Sequence, residues 1–291
     1  MTETLGETRI GSRTFRWGER TFVMGILNVT PDSFSGDGLL ADRAPAESAA
    51  VAAAVGQALA MAEDGADLLD IGGESTRPGH AEVDEAEERR RVIPVVRAVR
   101  AALPELPLTI DTTKRAVAEA ALDAGADAIN DVWGVRRGEG LSAVAAERGV
   151  PIVLMHNRAE PRYDDLLAEI VADLERAIGW AIEAGVPRSN ILVDPGFGFG
   201  KTASQNVAVL HDLTLLRRLG RPILLGTSRK STLGKVLDLP VDERLEATLA
   251  TTALAVAAGV DIVRVHDVGP NVRVARMADA IVRGWTGTEA G

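Results

Sequence analysis

The chain has 291 residues, 46% of them hydrophobic but only 3% aromatic, with no cysteine and a formal net charge of −10. That length admits one large α/β barrel or two small domains, with an aliphatic core. The charge argues against a nucleic-acid or anionic-membrane binder, and the lack of cysteine removes disulfides, thiolate chemistry and Cys-based metal sites. Met1 to Arg20 is polar, with no apolar signal core, and no apolar run reaches membrane-spanning length; a cytoplasmic protein is expected.

In chain order, Arg9–Thr21 alternates weakly around Gly11 and Trp17-Gly18 and reads as a short hairpin, a plug or rim element. Phe22–Leu27 is a buried strand that runs into the polar loop Asn28–Gly38. An Ala-rich helix over Pro45–Asp64 stops at Gly65, and the strand Asp67–Ile71 follows, ending in Gly72–Gly79. Both loops are long, glycine-rich and polar, as lids that exclude water would be. Asp84–Ala102 is an amphipathic helix, with Glu82–Arg91 read as a solvated face. Leu108–Ile110 is a strand that runs into Asp111-Thr-Thr-Lys114, then a helix runs to about Asp123. Ala128-Ile129 leads to Asn130-Asp131, and a helix covers Leu141–Arg148. Pro151–Leu154 is a strand before Met155-His156-Asn157, and a long helix covers Tyr163–Glu183. The strand Ile191–Val193 precedes a glycine loop, and a helix covers Val207–Leu219. Strand Pro222–Leu225 runs into Gly226–Thr232, Arg244–Ala258 is helical, and strand Asp261–Val265 ends at His266-Asp267. Val272–Arg283 is the last helix.

Eight short apolar strands alternating with helices predict a parallel sheet covered on both faces. A closed (β/α)8 TIM barrel with an N-terminal hairpin is favoured over an open doubly wound sheet. No composition break divides residues 1–291, so a single domain is expected, its core at about 21–285. Polar residues also gather at nearly every strand end, and in a barrel these ends converge on one mouth.

The loop Asp194-Pro-Gly-Phe-Gly-Phe-Gly-Lys201 has three alternating glycines, which read as letting a ligand approach the main chain. Its spacing fits neither a Walker A loop, since Pro195 stands where the first glycine should, nor Gly-x-Gly-x-x-Gly. Lysine is scarce: only Lys114, Lys201, Lys230 and Lys235 occur, so each is less readily surface filler. Asp111, Asn130, Asp194 and Lys230 combine acceptors and donors suited to a flat heterocycle bearing amino and amide groups. Arg264 and His266 suit phosphate, and Asn28 is a candidate Mg²⁺ ligand that would share the ion with a phosphorylated substrate. Each has a plainer reading. Asp111 could cap the next helix, and Arg264 could pair with Asp261 or Asp267. For His156 a structural role is favoured.

The motifs Asn28-Val-Thr-Pro-Asp-Ser-Phe34, Asp70-Ile-Gly-Gly-Glu-Ser-Thr-Arg-Pro-Gly79, Ile110-Asp-Thr-Thr-Lys114, Ile129-Asn-Asp131, Asp194–Lys201, Ser228-Arg-Lys-Ser231 and Arg264-Val-His-Asp267 follow one another in a familiar order. Over roughly Thr21 to Arg283 the chain resembles the dihydropteroate synthase family. The resemblance implies a TIM-barrel transferase of folate biosynthesis, usually a homodimer, that uses Mg²⁺. Its substrates would be 6-hydroxymethyl-7,8-dihydropterin diphosphate and 4-aminobenzoate, with sulfonamides as competing ligands. By resemblance Asp111, Asn130, Asp194 and Lys230 would hold the pterin, with Asn28 on the metal and Arg264 and His266 on diphosphate. Phe34, Thr76, Pro78, Phe199 and Ser231 would shape the aminobenzoate pocket. Asp111 would stabilise a cationic methylene left by diphosphate, and Asp37 would assist, although it stands one place later than the acid of many members. Thr227 and Asn157 stand where other members often carry Met.

Two other readings stay open at this stage. A methyltetrahydrofolate–corrinoid methyltransferase would share the Asp/Asn/Asp floor without needing both the Ser-Arg-Lys-Ser and Arg-Val-His motifs. A non-catalytic pterin-binding paralogue would be marked by loss of Asn28, Thr76, Arg264 or His266, all of which are present.

Overall fold

The computed structural model describes residues 5–29, 43–74, 83–136 and 140–285, with backbone alone for 43–47. The hairpin pairs β1 (Glu7–Ile10) with β2 (Arg13–Arg16). The parallel sheet contains β3 (Phe22–Asn28), β4 (Leu68–Gly72), β5 (Leu108–Asp111), β6 (Ala128–Asp131), β7 (Ile152–Met155), β8 (Ile191–Asp194), β9 (Leu224–Leu225) and β10 (Ile262–Val265). Strands β3 to β8 pair in sequence order, and β10 sits between β9 and β3. A parallel bridge from Val193 to Ile223 joins β8 to the approach of β9 and closes the ring. Strand β9 is shorter than Pro222–Leu225 because proline brings no N–H to a ladder and the Ile223 N–H goes to Asp261 Oδ2.

Helices α1 (Arg43–Glu63), α2 (Glu85–Ala102), α3 (Arg115–Ala124), α4 (Leu141–Arg148), α5 (Leu166–Glu183), α6 (Ala203–His211), α7 (Ser231–Leu237), α8 (Leu245–Ala258) and α9 (Val268–Arg283) surround the barrel. Four ends differ from the sequence reading. Helix α5 starts at Leu166 because Asp165 caps it, accepting from Ala168 N, while Tyr163 turns back to donate to Gly200 O at 2.9 Å. Helix α6 starts early on a capping box of Thr202 and Gln205 and gives way to a 3-10 segment over Leu213–Leu219. Helix α9 begins one turn before Val272. Helix α7, which Lys230 precedes, was read only as loop.

Two cores follow from strand parity. Side chains such as Leu69, Ile71, Leu108, Ile110, Ile129 and Val193 face outward and pack under the helices. The alternate set, Met24, Leu68, Ala128, Val153, Leu192, Leu224 and Ile262, fills the barrel at its N-terminal end. Ile10, Phe15 and Trp17 of the hairpin join that inner cluster, with the Phe15 ring 4.8 Å from that of Phe22. The hairpin therefore plugs the bottom of the barrel, as its alternation suggested. Burying Phe15 there stabilises the fold by about 2–3 kcal/mol.

A repeated device sets register at the same end. Gly65-Ala66-Asp67, Gly125-Ala126-Asp127 and Gly259-Val260-Asp261 each follow a helix. The glycine takes the left-handed conformation, as Gly125 does at φ 115°, and the middle residue is buried. The aspartate then accepts a backbone N–H on the neighbouring strand: Val23 at 2.8 Å, Leu108 at 2.9 Å and Ile223 at 2.9 Å.

On α2 one acid departs from the solvated-face reading. Glu88 is fully buried and takes Lys114 Nζ at 2.6 Å, and Glu74 takes the same nitrogen at 2.6 Å. This bridge ties α2 and the segment after β5 to the start of the loop after β4.

Candidate active site

Moving up each strand by two residues from the inner apolar cluster reaches the site. Leu68 gives way to Asp70, Ala128 to Asn130, Leu192 to Asp194 and Ile262 to Arg264. Asp70 is fully buried, and its Oδ2 accepts Asn130 Nδ2 at 2.9 Å and Arg264 Nε at 2.6 Å. Its other oxygen takes the Thr109 hydroxyl. Arg264 Nη2 reaches Asp111 Oδ2 at 2.8 Å. The guanidinium thus spans two carboxylates on β4 and β5, and neither Asp261 nor Asp267 is its partner. Asp111 does not cap α3; its Oδ1 is buried with no hydrogen-bond partner among the described residues. Burial first, and the neighbouring Asp70 second, push the Asp111 carboxyl up to about 7.

Asp194 ends β8, and its Oδ1 accepts Gly196 N at 2.7 Å. Burial raises its pKa above the usual carboxylate range, opposed by Lys230 and by that N–H. Lys230 stands just before α7, donates to Phe197 O, and holds its ammonium 4.4 Å over the Phe199 ring. Burial lowers its pKa to about 7. Ser231, the first residue of α7, follows it.

The backbone bends sharply just before Lys230. Arg229 has φ 57°, which a non-glycine side chain rarely adopts. Its guanidinium pairs with Asp267 at 2.5 Å and 3.0 Å, and its carbonyl accepts Arg244 Nη1 at 3.0 Å. These contacts hold the turn that aims Lys230. Next to it, Ser228 Oγ accepts the His266 N–H at 3.1 Å and lies 3.0 Å from His266 Nδ1. Either tautomer of His266 satisfies this contact, because a hydroxyl both donates and accepts.

The glycines of the Asp194–Lys201 loop face protein rather than open space. A Cβ on Gly196 would stand 1.7 Å from His156 O, and one on Gly200 would stand 2.3 Å from Arg158 O. The reading that they admit a ligand to the main chain is corrected: Gly196 and Gly200 let the loop lie against the chain leaving β7, and Gly198 leaves room for the Lys230 side chain. Phe197 is fully buried, whereas Phe199 is half-exposed. The Lys201 ammonium turns to His156 and to two carbonyls of this loop.

Asn28 ends β3 half-buried, and its side chain makes no hydrogen bond to another described residue. Among the described residues no group of three or more His, Asp or Glu is placed to hold a metal ion. Asn28 offers one amide oxygen, a hard donor of the kind Mg²⁺ takes, without the one or two carboxylates that usually accompany substrate phosphates around that ion. Phe34, Asp37, Thr76 and Pro78, and most of both loops read as lids, lie outside the described residues. Asp70 and the Arg229–Asp267 pair were not among the sequence candidates. Asp70 had a signal, an acid in an apolar strand two places above a core leucine. Arg229 and Asp267 both stand in the quoted motifs, but nothing in the sequence pairs them.

The model of the family described as pterin binding enzyme matches residues 24–266. A dihydropteroate synthase of Clostridium beijerinckii is 48% identical over 276 residues, which is 94% of this chain and 99% of that one. The chain belongs to the dihydropteroate synthase family. Solved members of the family share its backbone. A dihydropteroate synthase from Clostridium difficile, crystallised with pteroic acid, superposes with a TM-score of 0.86 at 48% identity over 92% of this chain and 99% of that one. One from Xanthomonas albilineans with 4-aminobenzoic acid gives 0.86 at 43% identity over 94% and 98%. Family members with those ligands thus carry the same barrel. No helix among the described residues is long and apolar enough to cross a membrane.

Proposed function

We propose that the chain is a dihydropteroate synthase. It joins 6-hydroxymethyl-7,8-dihydropterin diphosphate to 4-aminobenzoate and gives 7,8-dihydropteroate and diphosphate. The observation that carries this is the buried array at the barrel mouth in which Arg264 bridges Asp70 and Asp111, with Asn130 on the same carboxylate. Asp111, Asn130, Asp194 and Lys230 hold the pterin, and Arg264 and His266 hold the diphosphate. Phe34, Thr76, Pro78, Phe199 and Ser231 shape the aminobenzoate pocket.

Asn28 would hold Mg²⁺, which when bound neutralises charge on the departing diphosphate. The chain's own cations, Arg264 and Lys230, add to that field in a water-poor site. The C–O bond breaks first and its electron pair leaves with diphosphate. Carboxylates at Asp111 and Asp37 stabilise the cationic methylene. The arylamine lone pair then forms the C–N bond, and the amine proton goes to solvent. Sulfonamides compete because they offer a similar arylamine. The reading places the enzyme in the cytoplasm as a homodimer, and the exposed Leu254 of α8 with Met277 and Ile281 of the adjoining α9 supports a subunit interface there.

Purified protein with the pterin diphosphate, 4-aminobenzoate and Mg²⁺ should release diphosphate and form 7,8-dihydropteroate. No release, or release unaffected by Lys230→Ala and Arg264→Ala, would sink the proposal. Scrambling of oxygen-18 between bridging and non-bridging diphosphate positions without aminobenzoate tests the order of bond breaking. Sedimentation of Ile281→Glu against wild type tests the dimer.

A further inference from the structure

Lys201 has an environment that its place after the glycine loop did not suggest. Three acceptors surround its nitrogen: His156 Nδ1 at 3.0 Å, Gly196 O at 3.1 Å and Phe199 O at 3.1 Å. An ammonium has three protons and no acceptor capacity, so each proton is matched. Lys201 has none left for a substrate.

That arrangement fixes the imidazole as well. With Nδ1 accepting from Lys201, the ring proton sits on Nε2 and donates to Asp173 Oδ2 at 3.2 Å. Asp173 also takes Arg158 Nε at 3.1 Å and Nη2 at 2.7 Å, and it pairs with Arg176. His156 is fully buried, and burial followed by the Lys201 charge pushes it down to about 3. Burial lowers the Lys201 pKa to about 7, and the charged groups that act on it are Asp194, Lys230, Arg158 and Asp173.

The two loop carbonyls that Lys201 holds flank a third. Phe197 O, between Gly196 and Phe199, accepts the ammonium of Lys230. A Cβ on Gly198 would press on Lys230 Cδ at 2.7 Å, so the loop and that side chain are in direct contact. Gly196 N is also the donor that orients Asp194. From the other side, Asn206 Oδ1 accepts Gly198 N at 2.7 Å.

We propose that Lys201 is a positioning residue whose ammonium clamps the Asp194–Lys201 loop onto His156 and thereby sets Asp194 and Lys230 for pterin binding. The proposal rests on the reading above that those two residues hold the pterin. It assigns Lys201 no contact with substrate and no proton transfer.

Nitrogen-15 NMR of the imidazoles tests the clamp in the wild-type protein. His156 should show a bare Nδ1 and a protonated Nε2 with no titration through the ordinary histidine range near ~6.5. A proton on Nδ1, or titration in that range, overturns the clamp. In Lys201→Met the His156 pKa should rise, because a nearby cation is gone while Asp173 stays. KM for the pterin diphosphate should increase by up to about 100-fold, the scale of a small misplacement. KM for 4-aminobenzoate should change less, and the far-ultraviolet circular dichroism should be retained. Lys201→Arg keeps charge, but its planar fork does not converge on three acceptors, so its KM for the pterin diphosphate should rise as in Lys201→Met. Wild-type KM in either variant overturns the clamp and leaves the proposed function standing. A wild-type protein that makes no dihydropteroate overturns the proposed function, and this role for Lys201 falls with it.

Discussion

Arg264 donates to Asp111 Oδ2 at 2.8 Å, yet the other oxygen of that carboxylate is buried with no partner among the described residues. The same guanidinium holds Asp70, so one cation serves two buried acids. Removing one partner of a buried ionic group leaves uncompensated charge and costs roughly 3–5 kcal/mol. Arg264→Met should therefore lower stability by about that amount and reduce kcat/KM at least about 100-fold. The double variant Arg264→Met, Asp70→Asn should recover part of the stability and none of the activity. Urea unfolding alongside steady-state kinetics checks both; equal stability of the single and double variants would count against the shared-cation account.

Asp111 and Lys230 approach neutrality from opposite sides. Burial raises the acid to about 7 and lowers the amine to about 7. Below that pH Asp111 gains a proton and loses an acceptor; above it Lys230 loses a donor. Pterin affinity should therefore peak near neutral pH and fall on both sides. Asp111→Asn should reduce the acid limb to the part left by Asp194, which burial also raises. Lys230→Met should reduce the alkaline limb to one proton, left by Lys201, which burial also lowers to about 7. Calorimetric titration with the pterin across pH decides this, and an unchanged acid limb in Asp111→Asn would refute the assignment.

Much of this site was legible because barrel strands carry their chemistry at their ends. Asn28, Asp111, Asn130, Asp194, Arg264 and His266 all lie at or just past strand ends, so reading strand termini found them. The scarcity of lysine served too: Lys114, Lys201 and Lys230 are each in hydrogen-bonded contacts within the fold. What escaped depends on partners distant in sequence. Arg264 meets an acid 194 residues away, whereas Asp261 and Asp267 each stand three residues from it in sequence. The loop glycines were recognised as special, but their reason is the His156 and Arg158 backbone, which sequence does not place beside them.

Gly196 gives a sharp test of that last point. Its φ is 68°, and an added Cβ would fall 1.7 Å from a backbone oxygen that has nowhere to retreat. Gly196→Ala should displace the loop and abolish measurable pterin binding. Gly179, inside α5, has nothing within 4 Å of its added Cβ, so Gly179→Ala should gain about 0.5–1 kcal/mol through lower unfolded-state entropy. Thermal unfolding and pterin titration of the two variants provide the comparison. Tight pterin binding by Gly196→Ala would show that the loop conformation is not what the site requires.

Asp261, at the opposite end of the barrel, separates stability from catalysis. It is buried, accepts Ile223 N at 2.9 Å, and burial pushes its pKa up to about 6, opposed by that N–H. An unfolded aspartate releases its proton near ~3.9. Between those values the folded chain keeps a proton that the unfolded chain has lost, so this group's contribution to stability falls as pH rises through the window. Asp261→Asn cannot ionise, and its amide oxygen still accepts the Ile223 N–H. Whatever fixed offset the substitution brings, the stability of the variant relative to wild type should climb from about pH 4 to about pH 7, by up to ~3 kcal/mol. Urea midpoints at several pH values measure this directly. A difference that does not change with pH would mean that Asp261 is ionised in the folded protein throughout, with the Ile223 N–H and nearby cations outweighing burial.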